Sequence, residues 1–462
     1  MNEASMLRIY ERSPVFLQNA MLNAYGVKER RLRHHGRYHA YLDEVRRTEW
    51  LSAEELEADQ SARLRRLVSH CEERIPYYRD LFSELGLAAA DIAHAGDLKK
   101  LPVLEKEEIR RAPERFCVDG SSRGLLARTT GGTTGTPLRY FVTPEAVQFN
   151  YAIYEARFRN WAGVSFGERM SSMNGRVIVP SHQSGPPYWR RNYAFNQQYL
   201  SIYHLTPENL PSYVKAMSKF QPAVIVGYPS AVHLLATHIL ASEQQGVITP
   251  KAVLLSSETL FPWMRSDIEQ AFQCRVFDGY SQGELTIFIS ECPAGSMHIS
   301  PDCGVVEFVR IEGETELVAT GLSNFGMPLL RYRTRDVAEQ GDGSDCACGR
   351  KLPTIRKLVG RADDLVMTPD GRSVGAAPMS LAFQSIPGIR ESQVRQTTIE
   401  SVDVDIVTVD GAREPDQGIE AALLRELRAR LGPALQIAIN RVDRIERTGA
   451  GKRQLIVSTL HQ

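Results

Sequence analysis

The segment Ala223-Val224-Ile225-Val226-Gly227 is a short apolar run that ends in glycine, and it reads as a buried strand. Ala252 to Leu255 repeats the design, and so does Cys274 to Phe277, directly ahead of Asp278-Gly279-Tyr280. Short apolar strands separated by helical segments imply a parallel sheet with crossover helices. In such a sheet, binding residues are expected at the strand ends.

Working outward, Glu208 to Phe220 reads as a helix, and Met170 to Tyr199 is a Gly-, Pro- and aromatic-rich stretch containing Pro186-Pro187-Tyr188-Trp189-Arg190. Trp50 to Leu87 is charged and helical, with Leu56, Leu64, Leu67 and Cys71 at helical spacing. Asp97 to Pro113 reads as a loop followed by a helix starting near Glu105. Leu138 to Val142 reads as a strand, with a helix from about Pro144. Gly304 to Val318 alternates apolar and charged residues, as an antiparallel hairpin would. After Arg361 the character changes. Val402, Val404 and Ile406 alternate as a half-exposed strand, Ile419, Leu423, Leu427 and Leu431 form one helical stripe, and Leu435 to Val442 is another strand. The expected fold is α/β: a large domain with parallel-containing sheets and crossover helices, plus a small α+β C-terminal domain. The expected divisions are a helical region over 1–100, a large domain over 101–362 and a small domain over 363–462, a normal domain size.

A chain of 462 residues is long for one core, and 43% apolar residues are enough for well-buried ones. Lys+Arg and Asp+Glu number 55 each, so no net field draws the protein to nucleic acid or anionic lipid, and a small-molecule site becomes the default. The first thirty residues lack a signal peptide's apolar core, and Ala223 to Ala241, interrupted by Tyr228, Pro229, His233 and His238, is no membrane span. The expectation is a soluble, cytoplasmic protein with no nucleic-acid or membrane partner. The oligomeric state stays open, a homodimer included.

Thr129-Thr130-Gly131-Gly132-Thr133-Thr134-Gly135-Thr136-Pro137 is the densest run of small residues in the chain. Its glycines free the backbone to approach a ligand, and its hydroxyls can meet phosphate oxygens. It is not a Walker loop, because no lysine follows Gly135. Taken alone, such a run is more often a flexible turn. Four companions change that balance: Asp278-Gly279-Tyr280-Ser281-Gln282-Gly283-Glu284, then Ser323 to Asp336, then Val359-Gly360-Arg361-Ala362-Asp363-Asp364, and finally Arg447-Thr448-Gly449-Ala450-Gly451-Lys452-Arg453.

The order and spacing of these five segments resembles the adenylate-forming superfamily of acyl-CoA synthetases, peptide-synthetase adenylation domains and luciferases. Gly227-Tyr228-Pro229-Ser230, Ser256-Ser257-Glu258-Thr259-Leu260 and Pro328-Leu329-Leu330-Arg331-Tyr332-Arg333 look like its phenylacetate–CoA ligase branch and capsular-polysaccharide-associated relatives. The resemblance runs from about Pro102 to the end. It implies ATP-dependent activation of a carboxylic acid, an aromatic one such as a phenylacetate or benzoate, through an acyl-adenylate that coenzyme A captures. The alternatives are transfer to an amine and a catalytically silent nucleotide-binding protein. By the same resemblance, Thr129 to Pro137 hold the β- and γ-phosphates. Ser257, Glu258, Asp278, Gly279, Tyr280 and Ser281 line the nucleotide, and Glu284 holds Mg²⁺. Asp336 binds the ribose hydroxyls, Arg361 contacts the nucleotide, Asp363 is the hinge of a mobile small domain, and Lys452 reaches the carboxylate and α-phosphate. The family position puts the acyl group among Asn174, Arg176, Tyr188, Trp189, His204 and Tyr228. One departure stands out: Arg335 occupies the place where a glycine commonly precedes the ribose aspartate.

The cysteines carry a separate signal. Cys346-Ala347-Cys348 is a tight chelate, and Cys292 and His298 form a Cys-x₅-His pair upstream, whereas Cys71, Cys117 and Cys274 are scattered. Cytosolic thiols stay reduced, so clustering favours a metal over a disulfide. A structural Zn²⁺ on Cys292, His298, Cys346 and Cys348 is one reading. A set of ordinary reduced thiols is the other.

Overall fold

The computed structural model describes residues 9–129, 138–176, 178–180, 183–205, 208–311, 313–361, 365–369, 373–375, 379, 382–383, 386, 388–408, 417–446 and 454–460. Two helices cover most of the stretch from Trp50 to Leu87. Ala53–Arg74 starts at a capping box, where Ser52 Oγ accepts from Glu55 N at 3.2 Å and Glu55 Oε2 accepts from Ser52 N at 2.8 Å. Its apolar face, with Leu56, Leu64, Leu67 and Cys71, is buried. Pro76 opens the next helix, Pro76–Leu85, and Gly86 ends it in the left-handed region.

Strands β1 (Leu126–Thr129) and β2 (Arg139–Val142) form an antiparallel pair with Thr129 opposite Arg139. The large sheet contains β3 (Met170–Met173), β4 (Trp189–Asn192), β5 (Gln197–Leu200), β6 (Val224–Gly227), β7 (Ala252–Ser256), β8 (Arg275–Ser281), β9 (Phe288–Glu291), β10 (Met297–Ile299), β11 (Gly304–Ile311), β12 (Glu314–Gly321), β13 (Tyr332–Gln340) and β14 (Thr354–Arg361). Its order is β11-β12-β13-β14-β10-β9-β8-β7-β6-β3-β5-β4. The block β5-β3-β6-β7-β8 is parallel. Crossover helices Pro229–Ala241 and Pro262–Phe272 join β6 to β7 and β7 to β8, and each has proline in its first turn, where a missing N–H costs nothing. Strand β8 runs past Phe277 to Ser281 because β9 pairs with it antiparallel, from Gly279 opposite Ser290 to Ser281 opposite Phe288.

The β4 edge is covered by helix Val15–His34. Asn19 Oδ1 accepts from Arg191 N at 3.0 Å, Asn23 Nδ2 donates to Arg191 O at 2.9 Å, and Asn23 Oδ1 accepts from Tyr193 N at 2.6 Å. Side-chain amides thereby satisfy an edge that would otherwise invite pairing with another chain.

Beyond β14, β15 (Leu365–Met367) pairs with β16 (Ser373–Gly375). Strands β17 (Ile389–Thr398), β18 (Ser401–Thr408), β19 (Gln436–Arg441) and β20 (Ile456–Ser458) form a sheet in the order β19-β18-β17-β20. Helix Gln417–Leu431 lies between β18 and β19 in sequence, with Leu423, Leu427 and Leu431 buried as its stripe predicts. Among the described residues, no helix is long and apolar enough to cross a membrane.

One buried ion pair joins three separated segments of the large unit. Arg157 and Asp302 have side chains 0% and 1% exposed and meet through two contacts, at 2.6 and 2.8 Å. Thr48 Oγ1 closes the cluster by donating to Asp302 at 2.7 Å, and Arg157 O accepts from Ser290 Oγ at 2.8 Å. Removing one partner strands the other charge. Asp302→Ala is expected to cost about 3–5 kcal/mol, read as a lower urea midpoint with an unchanged denaturant slope.

Candidate active site

The backbone register carries several of the candidate residues to one end of the parallel block. Trp189 lies opposite Leu200, Met173 opposite Gly227, Gly227 opposite Leu255, and Leu255 opposite Asp278. The strands approach closely there. A Cβ on Gly227 would stand 2.7 Å from Met173 O, and one on Gly279 would stand 2.8 Å from the Phe158 ring. At this end Asn174 follows β3 and Tyr228 follows β6, whose N–H donates to Met173 O at 3.0 Å. Ser257 follows β7 with φ 74°, a strained value for a residue with a Cβ. Glu258 beside it is half-buried.

Asp336 lies on β13, opposite Arg361 on β14. Its Oδ2 accepts from the Tyr280 hydroxyl at 2.5 Å and from Gln282 Nε2 at 3.1 Å, and its N–H donates to Thr334 Oγ1 at 3.0 Å. Glu284, 7% exposed, accepts from the Tyr332 hydroxyl at 2.7 Å. The candidates Asp278, Tyr280, Ser281, Glu284 and Asp336 are thus gathered around the β8 end and β13. Two partners had no role assigned from sequence, Gln282 and Tyr332. Both fall inside recognisable motifs, but Tyr332 is 48 positions from the carboxylate it holds, and nothing in sequence signals that contact.

Asp278 is electrostatically unusual. Burial, then the charge of Glu291, pushes its carboxyl up to about 7, against the opposing pull of Arg265. Glu291 accepts from Asp278 N at 2.9 Å and from Arg265 at 2.6 Å.

The acyl candidates divide. Asn174 and Tyr228 are neighbours at the strand ends. Trp189 is on the edge strand β4. His204 is buried, shares a hydrogen bond with Ser201 Oγ at 2.8 Å and stacks on Tyr188 with centroids 5.3 Å apart. Arg176 is exposed, with its guanidinium 5.9 Å from the Tyr25 ring centroid. Thr129 is the last residue of β1 and is exposed. Thr130, Gly131, Gly132, Thr133, Thr134, Gly135 and Thr136, together with Asp363, Lys452 and the Arg361 side chain, lie outside the described residues.

Arg335 has φ 61° and Arg331 has φ 51°. The position where a glycine is common does require the left-handed region, and this chain fills it with arginine. Arg335 approaches Glu105 at 3.6 Å, while Arg333 pairs with Glu316 at 2.7 Å and Glu105 at 2.9 Å, and Arg331 pairs with Glu307 at 3.0 Å.

The four metal-ligand candidates do come together: their ligand atoms all lie within 4.8 Å of one another. Cys292 Sγ is 3.7 Å from Cys346 Sγ, and Cys348 Sγ is 3.4 Å from His298 Nε2. His298 Nδ1 lies 2.9 Å from Leu352 O, an acceptor, so Nδ1 carries the proton and Nε2 faces the sulfurs with its lone pair. Burial would raise the Cys346 thiol, but hydrogen bonds from Ser296, the Cys348 N–H and neighbouring side chains outweigh it and bring the thiol down to about 6.

Residues 366–459 match the CapK C-terminal domain. Protein CapK of Staphylococcus aureus is 29% identical over 98% of this chain and 99% of its own length. A phenylacetate–coenzyme A ligase of Pseudomonas putida is 24% identical over 90% of this chain and 96% of its own. The crystal structure of 2-hydroxyisobutyryl-CoA ligase, in the postadenylation state with an acyl-AMP, superposes with a TM-score of 0.69 at 16% identity, covering 90% of this chain and 92% of that one. The fold is that of the adenylate-forming ligases. By sequence the chain is similar to CapK and to phenylacetate–CoA ligases over nearly its whole length.

Two outcomes follow from the site. Arg335→Gly relieves a left-handed arginine and gives up only a partly exposed ion pair, so it is expected to raise stability by about 1 kcal/mol, seen as a higher urea midpoint. The Asp278 carboxyl, up at about 7 in the fold against roughly 3.9 unfolded, favours the fold below the unfolded value and loses that contribution as pH climbs to 7. The stability of Asp278→Asn relative to the native chain therefore rises between pH 4 and 8. A pH-independent difference would contradict the assignment.

Proposed function

We propose that this protein activates a carboxylic acid with ATP, forming an acyl-adenylate and pyrophosphate, and then transfers the acyl group to coenzyme A with release of AMP. The observation that carries the reading is the meeting of Glu284, Asp336 and the Asp278–Ser281 strand end at the carboxyl ends of parallel strands, where ligands of such sheets bind. An aromatic acid, bound near Asn174 and Tyr228, is the proposed substrate class.

In the first step a carboxylate oxygen attacks the α-phosphorus and the bond to pyrophosphate breaks. Two anions must approach each other, so positive charge near the phosphates lowers the barrier. Lys452 is proposed to supply that charge at the carboxylate and α-phosphate. Mg²⁺ would supply Lewis-acid stabilisation of the leaving pyrophosphate, and a buried carboxylate such as Glu284 suits a hard cation. Asp336 would hold the ribose, oriented by Tyr280 and Gln282. Thr129 to Thr136 would fix the phosphates, Arg361 would contact the nucleotide, and Ser257, Glu258 and Gly279 would line it. In the second step the thiol sulfur attacks the acyl carbonyl carbon, AMP leaves and the thiol proton passes to solvent. Rotation of the small domain about Asp363 would open the thiol's path. Cys292, His298, Cys346 and Cys348 are proposed to hold a structural Zn²⁺ that takes no part in this chemistry.

The test is acid-dependent ATP–pyrophosphate exchange across aromatic and aliphatic acids. Lys452→Ala is expected to lower exchange by roughly 10²–10³-fold while ATP still binds, and Asp336→Ala is expected to weaken ATP binding itself. Exchange that survives Lys452→Ala undiminished would remove that lysine from the mechanism. AMP release that depends on an amine and not on coenzyme A would replace thioester formation with amide formation. ATP binding without exchange for any acid would mark a silent homologue.

A further inference from the structure

Glu291 stands between two sites. Its carboxylate holds the Asp278 N–H at 2.9 Å, and the next residue, Cys292, brings one of the four clustered ligand atoms. Strand β9 meets β8 at Ser290 opposite Gly279, and meets β10 at Ser290 opposite His298. Strand β10 meets β14 at His298 opposite Thr354. Cys292, directly after β9, and His298, on β10, therefore lie at the strands that separate β8 from the Arg361-bearing strand β14.

The cluster has the dimensions of a tetrahedral metal site. With metal–sulfur bonds near 2.3 Å and metal–nitrogen bonds near 2.0–2.1 Å, neighbouring ligand atoms stand about 3.5–3.8 Å apart. Cys292 Sγ and Cys346 Sγ stand 3.7 Å apart, Cys348 Sγ and His298 Nε2 stand 3.4 Å apart, and all four ligand atoms lie within 4.8 Å of one another. His298 is held in the required tautomer by Leu352 O. Residues 341–353, which bring Cys346 and Cys348, contain no helix or strand, so a metal there would cross-link an irregular segment to β9 and β10.

We propose that a thiolate-seeking divalent cation at this cluster, zinc by its ligand set, holds Glu291 in place. It thereby fixes the Asp278–Ser281 strand end and sets the protein's affinity for nucleotide. The inference rests on the readings of the cluster as a zinc site and of Asp278–Ser281 as nucleotide-lining. Metal at Cys292 fixes the end of β9, Glu291 then holds both Asp278 N and Arg265, and Arg265 in turn donates to Val276 O at 2.7 Å. Both ends of that contact belong to β8 or to the helix packed beside it.

The experiment uses the full chain. Elemental analysis is expected to find one zinc per chain, lost in Cys348→Ser. Stripping zinc with a chelator is expected to speed hydrogen exchange at the Asp278–Ser281 amides and to weaken ATP binding by about tenfold, and added Zn²⁺ is expected to restore both. Glu291→Gln is expected to keep the metal yet reproduce the weaker ATP binding. Protein without metal, its thiols free or Cys292 joined to Cys346, overturns the proposal. So does stripping that leaves exchange at Asp278–Ser281 unchanged, and an unaltered ATP affinity in Glu291→Gln removes Glu291 as the carrier. If zinc-loaded protein bound no ATP, the nucleotide reading would fall instead, and the exchange rates would still decide whether the metal holds this strand end.

Discussion

The register of the parallel strands is the constraint on which the site depends. Met173, Gly227, Leu255 and Asp278 are linked pairwise across β3, β6, β7 and β8, so residues far apart in sequence reach one end of the sheet together. A slip of one residue would turn every side chain in a strand to the opposite face. The close approach at Gly227, where a Cβ would lie 2.7 Å from the Met173 carbonyl, ties that register to a residue without a side chain. Strand β9 then runs antiparallel to β8, and this change of direction leaves the β8 end facing β13 instead of another crossover helix.

Strand β13 forms the other wall, and it is held by charge. Arg331 and Arg333 are each about 10% exposed and bind Glu307, Glu316 and Glu105. The segment before helix Lys106–Arg111 is strapped to the same strand, with Leu104 N donating to Arg331 O at 2.8 Å and Arg333 N donating to Leu104 O at 3.0 Å. The strand and the residue just before it therefore tolerate two left-handed arginines, because surrounding contacts over-determine the backbone. Asp336 follows directly after the second of them, so the strain lies next to the carboxylate proposed to hold the ribose.

The strands that could be read from sequence were apolar runs, such as Val224–Gly227 and Ala252–Ser256, and alternating ones, such as Gly304–Ile311 and Ser401–Thr408. The stretch Met170 to Tyr199 hid three strands, β3, β5 and β4, because buried positions there are filled by Ser171, Ser172, Arg190, Asn192, Gln197 and Gln198. Polar residues buried in a sheet satisfy one another, as Gln197 and Ser172 do, and they erase the hydrophobic pattern on which the reading relies. Strand β13 was hidden in the same way by Arg333, which pairs with the buried Glu316. In the site, carboxylates and glycines stood out because their order along the chain is distinctive. The tyrosines that hold those carboxylates did not, since a hydrogen bond between positions 284 and 332 leaves no local trace. The Cys/His cluster was only half legible: a Cys-x-Cys turn and a Cys-x₅-His hairpin bring ligands together locally, but nothing in the spacing shows that the two pairs, with contacts 54 and 50 positions apart, meet.

The two site carboxylates are held by tyrosine hydroxyls, and this difference from the rest of β13 has a chemical consequence. The arginines of the 331–333 run are engaged with Glu105, Glu307 and Glu316, which lie outside the site. Among the described residues, the partner of Glu284 is a phenol and not a cation. A phenol fixes the position of a carboxylate without neutralising it, and a buried charge left in that state is one that a metal ion can stabilise. In the proposed reading, the compensating charges come from the Mg²⁺ that accompanies ATP and from Lys452 on the other domain. The Glu284 carboxylate would then be compensated in charge when Mg²⁺ and nucleotide are bound.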